Sequence, residues 1–112
     1  MIEEYSFGFI KIDGQVYNHD VQIGLDGKVG LWWRNKSHEI GKRDIEEVLY
    51  QNPEAIVIGT GEMGVAKVMD ETQQIIAAKS VELIIEPTGE AIKSFNSLKK
   101  EKKVAGLFHL TC

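Results

Sequence analysis

Hydrophobic and polar positions alternate through the first third of the chain and recur at helical spacing through much of the rest, so the two parts predict different elements. Residues 5–12 are rich in aromatic and branched side chains and read as a strand, and Asp13-Gly14 after them is a turn dipeptide that tolerates positive φ. Residues 16–23 read as a second strand, Asp26-Gly27 as another turn and residues 29–33 as a third strand. Turns this short join antiparallel neighbours, so the pattern predicts a β-meander.

Polar residues 35–42 then predict a loop. Asp44 has the look of a helix N-cap with Glu47 at the third helical position, and Ile45, Val48 and Leu49 share one face until Asn52-Pro53 stops the helix. Residues 55–58 form a short apolar strand, and residues 65–69 alternate like an extended segment. Asp70 with Gln73 repeats the capping spacing before a helix to about Lys79. Residues 81–85 are a branched-aliphatic strand stopped by Pro87. Thr88 is placed to cap a helix in which Ala91, Ile92, Phe95 and Leu98 share a face, and residues 104–110 make the last strand. Connections that carry a helix favour right-handed crossovers between parallel strands. The expected fold is α/β: three layers, a mixed central β-sheet with flanking helices, and an N-terminal β-meander.

Composition narrows this further. The sequence has 112 residues, a formal net charge of −4 and a single cysteine. That length suits one domain, residues 1–112, burying roughly two-thirds of its unfolded surface. No apolar run approaches the ~20 residues of a membrane span, and the acidic start, Met1-Ile2-Glu3-Glu4, does not read as a signal or transit peptide. Cys112 alone makes no internal disulfide, which fits a reducing compartment. The expectation is a cytoplasmic protein that binds neither membranes nor, given its mild acidity, nucleic acid.

Two motifs invite chemistry. Gly59-Thr60-Gly61-Glu62-Met63-Gly64 fits G-x-G-x-x-G directly after a strand, and Glu86 stands 22 residues beyond Gly64, where a dinucleotide fold places its ribose acid. The next helix signal begins only at Asp70, however, so no helix N-terminus opens on the third glycine to hold a pyrophosphate. A tight glycine turn is the better reading, with some other anion contact as an alternative. His109-Leu110-Thr111-Cys112 offers two metal ligands where a stable site needs three or four, and His19 and His38 lie in separate segments. No metal and no cofactor is expected. A Cys112–His109 nucleophilic pair is conceivable, but a thiol beside a terminal carboxylate is a poor nucleophile, and no catalytic residue is assigned.

Trp32-Trp33-Arg34 carries the stronger signal. Neighbouring side chains of a strand point to opposite faces, so one indole packs inside and the other lies near the surface beside Arg34. Aromatic residues with arginine suit a partner surface or a carboxylate or phosphate site; the plainer alternative buries both indoles, with Arg34 capping a carbonyl. The lysines of residues 99–103 read as a solvated helix end, and the Glu46-Glu47 and Asp70-Glu71 pairs as helix-start acids. Asn35-Lys36-Ser37 fits a glycosylation sequon that means nothing without secretion. If the strands ending at Ile58, Ile85 and Leu110 are parallel, Thr60, Glu62, Thr88, His109 and Cys112 converge on one sheet edge, where open α/β sheets bind ligands.

Tyr5-Ser6-Phe7-Gly8, Trp32-Trp33-Arg34, Ile58-Gly59-Thr60-Gly61, Pro87-Thr88 with Asn96, and terminal His109-Leu110-Thr111-Cys112 occur in this order. On these motifs the chain resembles a small single-domain family of uncharacterised function typified by a methanogen structural-genomics protein. That family also includes the adipogenesis-associated domain protein of animals and, more distantly, a mitochondrial respiratory complex I assembly factor. The resemblance implies a three-layer α/β domain and brings no established reaction, cofactor or catalytic residue. Its animal members look like interaction or assembly proteins, while the mitochondrial leader has no counterpart here. The reading is therefore a non-catalytic module that binds a protein or a small anionic ligand through Trp33, Arg34, Gly59, Thr60, Gly61, Thr88, His109 and Cys112. The alternative is an enzyme or ligand sensor with its pocket at Thr60, His109 and Cys112. A homodimer built on Trp33 is a further option.

Overall fold

A computed structural model describes residues 1–36 and 38–112. The sequon at Asn35-Lys36-Ser37 falls partly outside the described residues, at Ser37. The N-terminal strands are β1 (Ile2–Ser6), β2 (Phe9–Ile12), β3 (Gln15–Tyr17), β4 (Val21–Ile23) and β5 (Val29–Leu31). The expected N-terminal β-meander forms from β1, β2 and β3, but it does not run on into β4 and β5. Gly8, at φ +80°, breaks residues 5–12 into a hairpin, and the polar triplet Asn18-His19-Asp20 breaks residues 16–23. β1, β2 and β3 make a separate antiparallel sheet, whereas β4 and β5 enter a second, five-stranded one.

The rest of the chain supplies β6 (Glu39–Ile40), α1 (Glu46–Leu49), β7 (Ala55–Thr60), β8 (Lys67–Val68), α2 (Asp70–Ala78), β9 (Glu82–Glu86), α3 (Thr88–Lys99) and β10 (Val104–His109). The five-stranded sheet runs β5-β4-β10-β7-β9. β10 is parallel to β7, and β7 to β9, while β4 is antiparallel to both β10 and β5. The helical crossovers thus join parallel strands, as their length predicts. β6 and β8 form a small parallel pair of their own.

Each central strand feeds two cores, one per face. Ala55, Val57 and Phe108 pack with Ala91, Phe95 of α3 and with Ile10 and Ile12 of the N-terminal sheet. Ile56, Ile58 and Leu107 pack on the other face with Trp32, Ile45 and Ile76. This gives three layers: α3 beside the N-terminal sheet, the mixed central sheet, and α1 with α2. Gly106 marks the tightest spot, because a Cβ there would lie 2.5 Å from Phe108, which meets Phe95 edge-to-face at 5.5 Å.

The helix starts differ from expectation. Asp44 is not an N-cap: it ends a short 3₁₀ turn (Lys42–Asp44) and its carboxylate accepts the Gly41 N–H at 2.8 Å. Asp70 and Thr88 are first helical residues, with Met69 and Pro87 in the capping positions. Pro87, extended at φ −54° and ψ 148°, suits that position and leaves the Thr88 hydroxyl for other work.

Candidate functional site

Because β7, β9 and β10 are parallel, they end on one edge of the sheet, at Thr60, Glu86 and His109. Thr88 ties that edge together. Its buried hydroxyl donates to the His109 carbonyl at 2.5 Å and accepts the Gly61 N–H at 2.9 Å. Gly59 lets the start of α3 cross this close, since a Cβ there would stand 3.1 Å from Thr88 Cα. The Thr60 hydroxyl donates to the Glu86 carbonyl at 3.1 Å. Gly61, at φ +104°, has no room for a side chain, its Cβ position being 2.5 Å from the Thr111 carbonyl.

Four N–H groups of the glycine loop are taken by the protein. Gly61 N–H goes to Thr88, Glu62 N–H to the Thr111 carbonyl, Gly64 N–H to Gly61, and Ala66 N–H to Thr60. A strand, β8, follows it before α2 begins. A pyrophosphate would need those amides free and a helix N-terminus directly after the loop. Glu86 turns to Ser94 of α3, accepting its hydroxyl proton at 2.6 Å.

Beside this knot lies a buried charged cluster of Asp20, Arg34 and His109. Arg34, with its side chain 6% exposed, sits 4.7 Å over the Trp32 ring and 2.8 Å from Asp20 Oδ2. His109 Nδ1 lies 2.8 Å from the same Oδ2 and 3.1 Å from Arg34 Nη2. The Asp20 carboxylate only accepts, so the proton is placed on Nδ1, which donates to Oδ2; the Arg34 guanidinium, which only donates, then shares that Oδ2 rather than bonding to Nδ1. Asp20 Oδ1 accepts the Leu110 N–H at 2.8 Å, and the Asp20 carbonyl accepts the Trp32 N–H at 3.0 Å. Burial alone would raise the Asp20 pKa, but the hydrogen bonds from His109 and Leu110 and the Arg34 charge outweigh it and hold the carboxyl below the ordinary aspartate value. His109 Nε2 is buried without a hydrogen-bond partner among the described residues and is closed to solvent.

Outside the knot several large apolar side chains stand in solvent. Trp33 is 70% exposed and Met63 76%, and Phe7 and Val65 are exposed with them. Their loops are all fastened to the end of β10. Gly8 N–H reaches the Leu110 carbonyl, Glu62 N–H the Thr111 carbonyl, and Arg34 and His109 meet on the Asp20 carboxylate. Tyr5 adds a clasp, its hydroxyl donating to Glu62 at 2.7 Å; burial and that carboxylate both push the phenol pKa up. Next to Met63 a cavity of about 390 Å³ is bordered by Thr60, Val65, Ile85 and Pro87.

Of the residues singled out in the sequence, Gly59, Thr60, Gly61, Thr88 and His109 do converge. The Trp33-Arg34 pair does not act as one surface. Trp33 faces out and Arg34 turns inward, because Trp32 gives the guanidinium a ring to lie on and Asp20 a counter-charge. Cys112 is free and exposed, and its carbonyl lies near Gly61. Among the described residues no group of three or more His, Cys, Asp or Glu side chains could hold a metal ion. Sequence reasoning missed Asp20 and Tyr5. The signal for Asp20 was the polar triplet that interrupts residues 16–23.

The same fold occurs in solved structures. A conserved hypothetical protein of Pyrococcus horikoshii OT3 superposes with a TM-score of 0.91 at 28% identity, over 100% of this chain and 99% of that one. The protein MT938 matches at 28% identity with a TM-score of 0.82, over 100% and 98%. A Bordetella pertussis protein described as a Mth938-like domain shares the fold at 18% identity and a TM-score of 0.73, over 98% of this chain and 85% of that one. Residues 2–109 match the family model described as protein of unknown function (DUF498/DUF598), and the chain belongs to that family.

Proposed function

We propose that this chain is a non-catalytic binding module of the cytoplasm that docks a protein partner on the apolar rim at the end of β10. The observation that carries this reading is the exposure of Trp33 and Met63, with Phe7 and Val65, on loops that a buried polar knot holds still. Large apolar side chains held rigidly in water lose little conformational freedom on docking, and exposed Trp is the commonest kind of anchor. The resemblance to animal interaction and assembly proteins supports the same direction. The test is capture by wild-type and Trp33→Ala bait: a partner retained by the first and lost by the second, with unchanged thermal midpoints, supports the rim. Equal capture by both overturns it.

A second reading has one observation in its favour. The Asp20–His109 pair, with a bare Nε2, is the arrangement of a general base oriented by a carboxylate. Its drawback is closure, since a substrate reaches Nε2 only if the Gly61 loop opens. Thermal-shift screening against nucleotides, phosphorylated metabolites and carboxylates separates the two. A ligand at ~100 times its dissociation constant adds about 2.7 kcal/mol to stability. A hit lost in His109→Gln favours an enzyme or sensor.

A further inference from the structure

β9 is the outer strand of the central sheet on its parallel side and pairs with β7 alone. The Glu82 N–H donates to the Glu54 carbonyl at 3.0 Å, and along a strand the residues that bond a given neighbour alternate. Glu82, Ile84 and Glu86 therefore spend their main-chain groups on β7, and Leu83 and Ile85 turn theirs outward. Among the described residues no group bonds to them there. The Leu83 and Ile85 side chains, Ile85 38% exposed, line a groove of about 400 Å³ whose other wall is Gln73, Gln74 and Ala77 of α2. An unpaired main-chain edge thus runs alongside a trough for alternate side chains, the two things an added strand requires.

Charge decides what fits. Glu82 and Glu86 project from the opposite face of β9. Glu82 is bridged to Lys102 at 2.9 Å, whereas the Glu86 carboxylate accepts the Ser94 hydroxyl and has no cationic partner among the described residues. In an antiparallel pairing of two copies that uses both outward residues, Ile84 meets its equivalent and Glu82 faces Glu86 of the second copy, twice. Like charges directly opposite disfavour that pairing. We propose that the β9 edge takes an extended segment of a partner protein as an additional strand, apolar side chains entering the α2 groove and lysine or arginine lying beside Glu86. The proposal does not rest on the Trp33 rim, because Trp33 follows β5, the opposite edge of the same sheet.

The test is amide hydrogen exchange by NMR on the full chain, with an end-capped heptapeptide of alternating lysine and valine and its glutamate-valine counterpart as probes. The lysine peptide is expected to slow exchange at the Leu83 and Ile85 amides and to bind about fivefold more weakly to Glu86→Lys, the reversal of one cross-strand charge pair. Trp33→Ala should bind it as wild type does, so failure of the rim reading leaves this result standing. Three results would overturn the proposal. One is no slowing at saturating peptide. Another is equal slowing by the glutamate peptide. The third is protection of both amides without peptide that rises with protein concentration alongside a dimer in sedimentation, which makes a second copy the occupant.

Discussion

The middle of the central sheet and its C-terminal end follow opposite rules. In the middle, β7 and β10 are buried on both faces, and Ile56, Val57, Leu107 and Phe108 meet apolar neighbours above and below. At the end, polar side chains lie inside, Asp20, Arg34, Thr88 and His109, and apolar ones outside, Phe7, Trp33, Met63 and Val65. The middle is held by area, at about 1.5–3 kcal/mol per buried aliphatic or aromatic side chain, so its losses are graded. The end is held by matched partners. Such a network adds little net stability but exacts a large loss when one member is removed, because the others stay buried without it. What the inversion accomplishes is placement: it keeps three loops in fixed positions while leaving large apolar side chains in water.

The sharpest way to break this contrast is to remove one partner at the end. Asp20→Ala should cost about 3–5 kcal/mol in urea unfolding, as much as deleting a buried core side chain, because the Arg34 ion pair and the Leu110 N–H bond to this carboxylate are lost together. Ile56→Ala should cost about 2–5 kcal/mol, and the double variant should be additive within ~0.5 kcal/mol. Strong non-additivity would mean the two regions are one unit. Thr88→Val keeps the shape and strands the Gly61 N–H and the His109 carbonyl, for an expected loss of about 1–3 kcal/mol. A neutral result would show that the hydroxyl is dispensable to the knot.

A milder probe is acid. The Asp20 carboxyl has a lower pKa folded than unfolded, so its ionised form stabilises the fold above the unfolded value of about 3.9, and that contribution drains as pH falls through the folded value. Below about pH 4 the wild-type midpoint should therefore fall more steeply with pH than that of Asp20→Asn. Parallel slopes would remove Asp20 from the account of acid stability. The smallest effect belongs outside the knot: Trp33→Ala should change stability by no more than ~0.5 kcal/mol. A larger loss would make Trp33 a packing residue and weaken the claim that the rim is free for a partner.

The two regions also differ in how legible they were. The apolar runs at residues 55–58 and 104–110, the crossovers between them and the opposed indoles of Trp32 and Trp33 follow from spacing alone, which is local. The inside of the knot does not. Asp20 acquires its meaning from Arg34 and His109, which come from distant parts of the chain, and a lone aspartate within a β-prone run says nothing about which partners will find it. Thr88 looked like a helix cap because Ser and Thr at a helix start usually are. Only the approach of β10 and Gly61 gives its hydroxyl better partners. Arg34 was misjudged for a related reason: arginine is usually at the surface, and a neighbouring aromatic in sequence is not the aromatic it stacks on.

The position of β10 between β4 and β7 has a consequence for biosynthesis. On one side Phe108 pairs with Val21, so the contacts that close the sheet span most of the sequence. Such long-range pairing is slow to form. On a translating ribosome, β4 and β7 emerge early and wait with facing edges unsatisfied until residues 104–109 have left the exit tunnel. Through that interval both apolar faces of the sheet lack their central rib, and the nascent chain exposes apolar surface until a late insertion closes the molecule.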